Sequence, residues 1–316
     1  EAAYDDSGYS VAMSDDGNTV AIGAIRNAGN GIESGQTRVY RYLDFAESWI
    51  QLGMDIDGES EDDQSGRSVS LSGDGNVVAI GAIYNSESGE FAGHTRVLVY
   101  SPLTNSWSQL GGDIDGEAEE DNFGWSVALS ADGHTVAVGA PYNSDIDEYS
   151  GHARIYRYSA ADDSWNQLGA DIDGEADGDL CGNSVALSAD GNAVAVGAIF
   201  NNGNGDFSGH ARVFRFDRSS NQWDQVGKDF DGERTLDFSG YAVALGHEGN
   251  TVAIGAPLND GSGADTGHVR VFQFGEINSA PTLDLIGDLT IDEDAGRQSV
   301  ELTGITAGGE EVQPLK

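Results

Sequence analysis

Residues 124–141 read GWSVALSADGHTVAVGAP, and residues 152–169 read HARIYRYSAADDSWNQLG. Apolar residues alternate with small or polar ones at 124–130, an Asp-Gly turn follows, and residues 135–141 are β-branched and apolar. Two further alternating runs come after a polar loop, at 152–158 and 165–169. This pattern predicts four short strands joined mainly by hairpin-type turns.

The same pattern recurs at a fixed spacing of 58 residues, without insertion or deletion from residue 8 to residue 274. The marker residues are Trp49, Trp107, Trp165 and Trp223; Gly23, Gly81, Gly139, Gly197 and Gly255; and Arg38, Arg96, Arg154, Arg212 and Arg270. Self-similarity at such a period indicates a repeat architecture in which units bury their apolar faces against their neighbours. We therefore predict an all-β fold, a five-bladed β-propeller of four-stranded antiparallel blades over residues 1–275 that closes into a ring. A short β tail follows at 276–316.

The second strand of each unit is apolar on both faces, which predicts an inner strand buried between blades. Its glycine and alanine allow neighbouring sheets to approach closely. The recurrent arginine lies on the third strand, and we expect it to pair with a recurrent acid of the same or the next blade. A ring of anion-binding arginines is the alternative.

The net charge is extreme, because 54 acidic residues face 15 basic ones and give −39 at pH 7. Such a field repels nucleic acid and anionic membranes, so we predict no nucleic-acid partner and no membrane insertion. It suits salty surroundings or a basic partner. The single cysteine, Cys181, cannot form an internal disulfide, and we expect it to be a core or boundary residue.

Two short segments carry a family resemblance. Phe123-Gly124 and Gly139-Ala140-Pro141 spell the two ends of the FG-GAP repeat, and the other units keep looser versions. Residues 1–275 thus resemble FG-GAP propellers, whose best-known relatives are the headpieces of integrin α chains. The resemblance implies an extracellular or cell-surface, non-catalytic adhesion or ligand-binding propeller. Residues 276–316 resemble the start of an immunoglobulin-like or cadherin-like domain.

The calcium loop usual in that family is shortened here to Asp15-Asp16-Gly17-Asn18 and its equivalents, too few oxygens to surround calcium. A second acidic loop offers alternate carboxylates around a glycine, and it makes calcium the candidate cofactor. Its members are Asp55, Asp57, Glu59 and Asp63; Asp113, Asp115, Glu117 and Asp121; Asp171, Asp173, Glu175 and Asp179; and Asp229, Asp231, Glu233 and Asp237. The alternative is a connection between blades in which the aspartates cap backbone amides and pair with the arginines.

Histidines recur at the start of the third strand in four units, at His94, His152, His210 and His268, with Gln36 in the first. We predict a hydrogen-bonding role at the base of the preceding loop, with repeated ligand contact as the alternative. One position varies among the units while its neighbours repeat. It holds Tyr9, Arg67, Trp125, Asn183 and Tyr241, and we predict that these side chains gather near one mouth of the channel as a ligand-binding site.

The sequence therefore predicts an extracellular binding or adhesion propeller that recognises a protein or a glycan and is not an enzyme. Five near-equal units do not readily build one asymmetric active site. The first rival is a subunit of an extracellular filament or coat, in which residues 282–289 complete blade five or pair with a neighbouring molecule in a homo-oligomer. The second is a propeller glycoside hydrolase with two carboxylates at the axis.

Overall fold

Each 58-residue unit folds into one antiparallel sheet in the computed structural model, which describes residues 2–261 and 263–274. Within these residues the regular structure consists of strands, and it includes no helix. The predictions for the tail at 276–316 lie outside the described residues.

The strands group into five blades in chain order. Blade one contains β1 (Ser7–Met13), β2 (Thr19–Ala24), β3 (Gln36–Leu43), β4 (Ser48–Gln51) and β5 (Ile56–Asp57). Blade two contains β6 (Ser68–Leu71), β7 (Val77–Ala82), β8 (His94–Ser101), β9 (Ser106–Gln109) and β10 (Ile114–Asp115). Blade three contains β11 (Ser126–Leu129), β12 (Thr135–Ala140), β13 (His152–Ser159), β14 (Ser164–Gln167) and β15 (Ile172–Asp173). Blade four contains β16 (Cys181–Leu187), β17 (Ala193–Ala198), β18 (His210–Asp217), β19 (Gln222–Gln225) and β20 (Phe230–Asp231). Blade five contains β21 (Ala242–Leu245), β22 (Thr251–Ala256) and β23 (His268–Gln273).

Blades one to four share one strand order. In blade three, β12 pairs with β11 on one side and with β13 on the other. The outer edge of β13 is shared by two short strands, because β14 pairs with its second half and β15 with its first two residues. The blade is thus four strands wide with a divided outer strand, and blade five has three strands among its described residues.

The core lies between blades rather than within them. All six residues of β12 are buried, as predicted for an inner strand. One apolar cluster joins Ile155 and Ile172 of blade three to Val194, Val196 and Phe214 of blade four. Similar clusters join blades one and two, and blades two and three. Each sheet is therefore stabilised by apolar area that its neighbours cover.

Neighbouring backbones touch at the predicted glycines. A Cβ atom built on Gly139 would lie 2.0 Å from the carbonyl oxygen of Gly182 in the next blade. Beside it, Ser126 Oγ donates to the same carbonyl at 2.8 Å. The equivalent glycines in blades one, two and four meet the next blade in the same way, and we call each of these four contacts a seam. Only a residue without a side chain fits this spacing.

In the described part of the chain, the outer faces of the two terminal blades carry solvent-exposed apolar side chains. Val11 and Met13 of β1 are 64% and 60% exposed, whereas the equivalent Val69 and Leu71 of β6 are 9% and 8% exposed against blade one. On blade five, Val271 is 65% exposed. The five-bladed all-β fold is confirmed, but within residues 2–261 and 263–274 the expected closure into a ring is not seen, because the seam geometry is not repeated between blades five and one.

Candidate functional site

Three of the five variable residues form one stack. The Arg67 guanidinium lies over the Trp125 ring, with Cζ 3.9 Å from the ring centroid, and over the Tyr9 ring at 5.1 Å. Such cation–π contacts hold a guanidinium at a fixed place between rings. Burial lowers the pKa of Arg67, and the surrounding phenols, including that of Tyr241, act in the opposite direction.

The other two variable residues contact each other through the backbone. The Asn183 side-chain amide donates to the carbonyl oxygen of Tyr241 at 3.2 Å. Tyr241 is 56% exposed and Tyr9 is 49% exposed, so each offers part of an aromatic surface to solvent. The site predicted from these five residues thus contains one ordered stack and one amide–carbonyl contact.

Beside the stack lies an open cleft of about 650 Å³. Its lining residues are Glu33, Asp62, Gln64, Tyr84, Phe91, Glu120, Asn122, Tyr142 and Tyr149. Trp125 connects the stack to this cleft, because its ring centroid is 5.4 Å from that of Tyr142. The cleft therefore combines four aromatic rings, three carboxylates and two side-chain amides.

The aromatic rings occur as edge-to-face pairs. Tyr84 packs against Phe91 with centroids 5.2 Å apart, and Tyr142 packs against Tyr149 at 6.0 Å. Phe91 and Tyr149 have positive φ angles of 55° and 53°, and the equivalent Phe207 has the same conformation. A constrained turn that recurs in every unit thus carries side chains that change from unit to unit, which is how a rigid scaffold supports a binding loop.

Some polar side chains at the cleft already form hydrogen bonds with other groups of the protein. Gln64 Nε2 donates to Glu33 Oε2 at 3.3 Å. Asn122 Nδ2 donates to the carbonyl oxygens of Ile83 and Phe91 at 3.1 and 3.2 Å. These bonds fix the two amides and leave the Glu120 and Asp62 carboxylates as acceptors at the edge of the cleft.

The four carboxylates of each predicted acidic loop have different partners. Asp63 is 2% exposed, and its Oδ2 accepts from the Ser60 and Glu59 backbone amides at 2.9 and 3.2 Å and from Asn85 Nδ2 at 3.3 Å. The same capping recurs at Asp121, Asp179 and Asp237. These four carboxylates therefore accept hydrogen bonds from backbone amides of their own loops.

Other members of the loop face the third strands. Asp55 Oδ1 lies 3.1 Å from Arg38 Nε in the same blade. Glu59 Oε1 lies 3.3 Å from Arg96 Nη1 in the next blade, and the Asp57 carbonyl accepts from Arg96 Nη2 at 2.6 Å. The arginine–acid pairing that the sequence predicted is thus present, both within a blade and across a seam.

Three groups of acidic and histidine side chains could hold a metal ion. They are Glu59, His94 and Asp113; Glu117, Asp145, His152 and Asp171; and Glu175, His210 and Asp229. Within each group the candidate ligand atoms lie within 4.8 Å of one another. Burial raises the pKa values of Glu59 and Glu175, and the neighbouring Arg96 and Arg212 guanidinium groups act in the opposite direction.

The predicted hydrogen-bonding role is corrected for three of the four histidines. His94 and His152 are fully buried and His210 is 1% exposed, yet neither ring nitrogen of any of the three forms a hydrogen bond. Cys181 is buried as expected, and burial raises the pKa of its thiol to about 11.

Sequence reasoning missed the aromatic cleft residues Tyr84, Phe91, Tyr142 and Tyr149. The sequence does contain a signal for them, because this repeat position varies between units. The positions equivalent to Tyr84 and Tyr142 hold Arg26, Phe200 and Leu258. Variation inside an otherwise constant repeat therefore identifies this surface, as it did for Arg67 and Trp125.

Comparisons with known proteins agree with the geometry. The model of the FG-GAP repeat family matches residues 1–40 and 114–156. No curated protein matches the chain. These two matches and the five antiparallel repeats of the propeller support an FG-GAP β-propeller. The resemblance of the tail to an immunoglobulin-like domain stays a prediction.

Solved structures share the fold at low identity. A protein assigned as a 6-phosphogluconolactonase from Bacteroides uniformis has a TM-score of 0.54 and 11% identity, over 85% of this chain and 68% of its own. The periplasmic gluconolactonase of Pseudomonas aeruginosa has a TM-score of 0.50 and 16% identity, over 83% and 71%. A second Bacteroides protein, from Bacteroides fragilis, has a TM-score of 0.52 and 10% identity, over 84% and 67%.

The prediction that the chain is not an enzyme is wrong, because the fold does not exclude catalysis. Chains of the same fold are described as lactonases, so a propeller of this kind is compatible with catalysis. The sequence argument relied on equal units, whereas the cleft is lined by residues that differ from unit to unit. No helix in the described part of the chain is suited to crossing a lipid bilayer.

Proposed function

We propose that this protein is an extracellular or periplasmic recognition propeller that binds a carbohydrate in the aromatic cleft. The observation that carries the proposal is the cleft itself, where four aromatic rings and three carboxylates surround about 650 Å³. A sugar ring has apolar C–H faces and hydroxyl edges, so it needs flat rings on one side and hydrogen-bond acceptors at its rim. A cleft of this size and mixed polarity suits a small ligand.

The surroundings of the cleft support the same ligand class. The Arg67 guanidinium is already covered by Tyr9 and Trp125, so an anionic group gains less there than at a free arginine. The net charge of −39 also disfavours polyanions such as nucleic acid. The periplasmic gluconolactonase among the structures of the same fold supports a location outside the cytosol and a sugar-derived ligand.

The test is a glycan array followed by titration calorimetry of the best binder with wild-type protein and Tyr149→Ala. Tyr149 is 40% exposed, so its removal should leave the fold intact. We expect at least about tenfold weaker binding, since a stacked aromatic ring contributes more than about 1.4 kcal/mol. Phe45→Ala, at an 87% exposed ring in the turn between β3 and β4, is the matched control and should bind like wild type.

Three outcomes would overturn the proposal. Binding of no glycan is the first, and binding that Tyr149→Ala leaves unchanged is the second. The third is selective capture of lysine-rich peptides, which would assign the acidic rim to a protein partner. Sugar-lactone hydrolysis that Glu120→Gln abolishes would turn the binding site into an active site. Calcium binding by the acidic loop stays a prediction, tested by repeating the array with and without calcium.

A further inference from the structure

Three buried histidines lack a hydrogen bond at both ring nitrogens. The His152 side chain is fully buried at the start of β13, and both Nδ1 and Nε2 lack a hydrogen bond. His94 and His210 repeat this arrangement in blades two and four. Burying a polar group without a hydrogen-bond partner destabilises the fold by about 1–3 kcal/mol. Because the unpartnered imidazole recurs in three seams, we expect a bound ligand to contact it.

The His152 ring faces a group of carboxylates drawn from two blades. Its Nδ1 lies 3.8 Å from Asp171 Oδ2, and Glu117 of the preceding unit and Asp145 complete the group within 4.8 Å. A separation of 3.8 Å is too long for a hydrogen bond. It is close to the distance of about 3.4 Å between two ligand atoms that each lie about 2.1 Å from one tetrahedral ion.

The net negative charge of the group also favours the binding of a cation. Three carboxylates face one guanidinium, that of Arg154, which lies 2.8 Å from Asp171 Oδ2 and also contacts Glu117. Each carboxylate oxygen has more than one lone pair, so Arg154 and an ion can share them. The neutral form of an imidazole keeps a nitrogen lone pair that can bind a metal ion.

The seam between blades one and two shows the same gap in a simpler form. Arg96 contacts Glu59 Oε1 and leaves Glu59 Oε2 buried without a partner. This free oxygen faces His94 Nδ1 at 3.8 Å. Two unpartnered ligand atoms thus face each other across a distance that one ion would bridge, with the Asp113 carboxylate nearby.

We propose that His152, Glu117, Asp145 and Asp171 form a site for a divalent first-row transition-metal ion of the Zn²⁺ type, which joins blades two and three. The groups around His94 and His210 are three-ligand versions of it. An imidazole nitrogen with carboxylates suits this class, whereas calcium takes oxygen ligands. The site shares Glu117 and Asp171 with the calcium loop predicted from sequence, and it differs from that loop by its Asp145 and His152 ligands and by the class of ion.

The first blade supplies a natural comparison. Gln36 stands there in place of the histidine, and its Nε2 donates to Asp55 Oδ2 at 3.0 Å and to Asp57 Oδ1 at 2.8 Å. Glutamine therefore fills the gap with two hydrogen bonds. Because the chain already uses glutamine at this position, His152→Gln is expected to fold and to lose one metal ligand.

The experiment treats the full-length protein with a chelator, removes the chelator, and titrates Zn²⁺ by calorimetry and Co²⁺ by visible absorption. We expect binding below about 10 µM, a Co²⁺ band typical of nitrogen and oxygen ligands, and at least a tenfold loss of affinity for one site in His152→Gln. His134→Gln is the matched control, because the His134 side chain is 54% exposed in a hairpin turn and outside the three groups. It should bind like wild type.

Asp145→Asn is the second variant, since Asp145 lies in an exposed loop and its change should not prevent folding. It should also weaken one site. No Zn²⁺ or Co²⁺ binding at about 1 mM would overturn the proposal and leave bridging water as the partner of the histidines. Binding that His152→Gln leaves unchanged, or Ca²⁺ binding as tight as Zn²⁺ binding, would overturn it equally.

Discussion

At the scale of single residues, the recurrent tryptophan connects each blade to the one before it. Trp107 Nε1 donates to the Leu52 carbonyl at 2.7 Å, Trp165 Nε1 to Leu110, and Trp223 Nε1 to Leu168. Trp49 of blade one is 46% exposed and forms no such bond in the described structure. The recurrent tryptophan thus forms an inter-blade hydrogen bond in blades two to four but not in blade one.

This difference gives a prediction with a built-in control. Trp107→Phe keeps most of the apolar surface but leaves the Leu52 carbonyl unsatisfied, so we expect the free energy of unfolding to fall by about 1 kcal/mol. Trp49→Phe should change it by less than about 0.5 kcal/mol. Urea unfolding of the two variants measures the difference, and equal effects would show that the inter-blade bond does not stabilise the protein.

Residue-level sequence reasoning reached part of the site. It predicted that Tyr9, Arg67, Trp125, Asn183 and Tyr241 gather near one mouth of the channel. The first three form one stack, and ligand binding by the five residues stays a prediction. It could not reach the unpartnered state of His152, because the folded positions of Glu117 in the preceding unit and of Asp171 in the same blade decide whether the imidazole finds a hydrogen bond.

At the scale of elements, the hairpin between β11 and β12 is held by side chains at its turn. Ser130 Oγ donates to Asp132 Oδ1 at 2.5 Å, and the same carboxylate oxygen accepts from the His134 amide at 2.9 Å. The Thr135 amide donates to Ser130 Oγ at 2.9 Å. Burial raises the pKa of Asp132, but these hydrogen bonds lower it more, so the net shift is downward. The sequence predicted an Asp-Gly turn here, without the serine contact.

The lowered pKa of Asp132 predicts a pH dependence. A carboxylate whose folded pKa lies below its unfolded value near 3.8 stabilises the protein above that pH, and the contribution is lost as pH falls through the folded pKa. Asp132→Asn keeps an acceptor without the charge. We expect wild type to exceed Asp132→Asn by about 0.5–1 kcal/mol at pH 6, a modest value because 66% of this side chain is exposed and screened.

Chemical unfolding at pH 6 and at pH 3 tests this sign. The difference between wild type and Asp132→Asn should shrink at pH 3, because below the unfolded value near 3.8 the unfolded carboxyl takes up a proton more readily than the folded one. A difference that grows as pH falls would contradict the assignment. Asp224→Asn, on strand β19 and outside such a turn, is the control for a general change of net charge.

At the scale of the whole molecule, the candidate sites depend on neighbouring blades being held together. The aromatic cleft combines side chains of units one to three, and the histidine groups combine a glutamate of one unit with the third strand of the next. Sequence periodicity predicted the blades and their glycine contacts. It could not predict the exposed faces of blades one and five, because Val11 and Val271 have the same local pattern as their buried equivalents.

The most direct test of these seams compares Gly139→Ala with Gly255→Ala in denaturant unfolding. A Cβ on Gly139 meets the Gly182 carbonyl oxygen at 2.0 Å, whereas on Gly255 its nearest neighbour is the Ala242 carbonyl oxygen at 3.6 Å. We predict that Gly139→Ala lowers the free energy of unfolding by about 1–3 kcal/mol, as overpacking does, and that Gly255→Ala leaves it within about 0.5 kcal/mol. Equal losses would show that Gly255 of blade five also abuts a neighbouring backbone, and an unchanged Gly139→Ala would show that blades three and four are not in backbone contact at this seam.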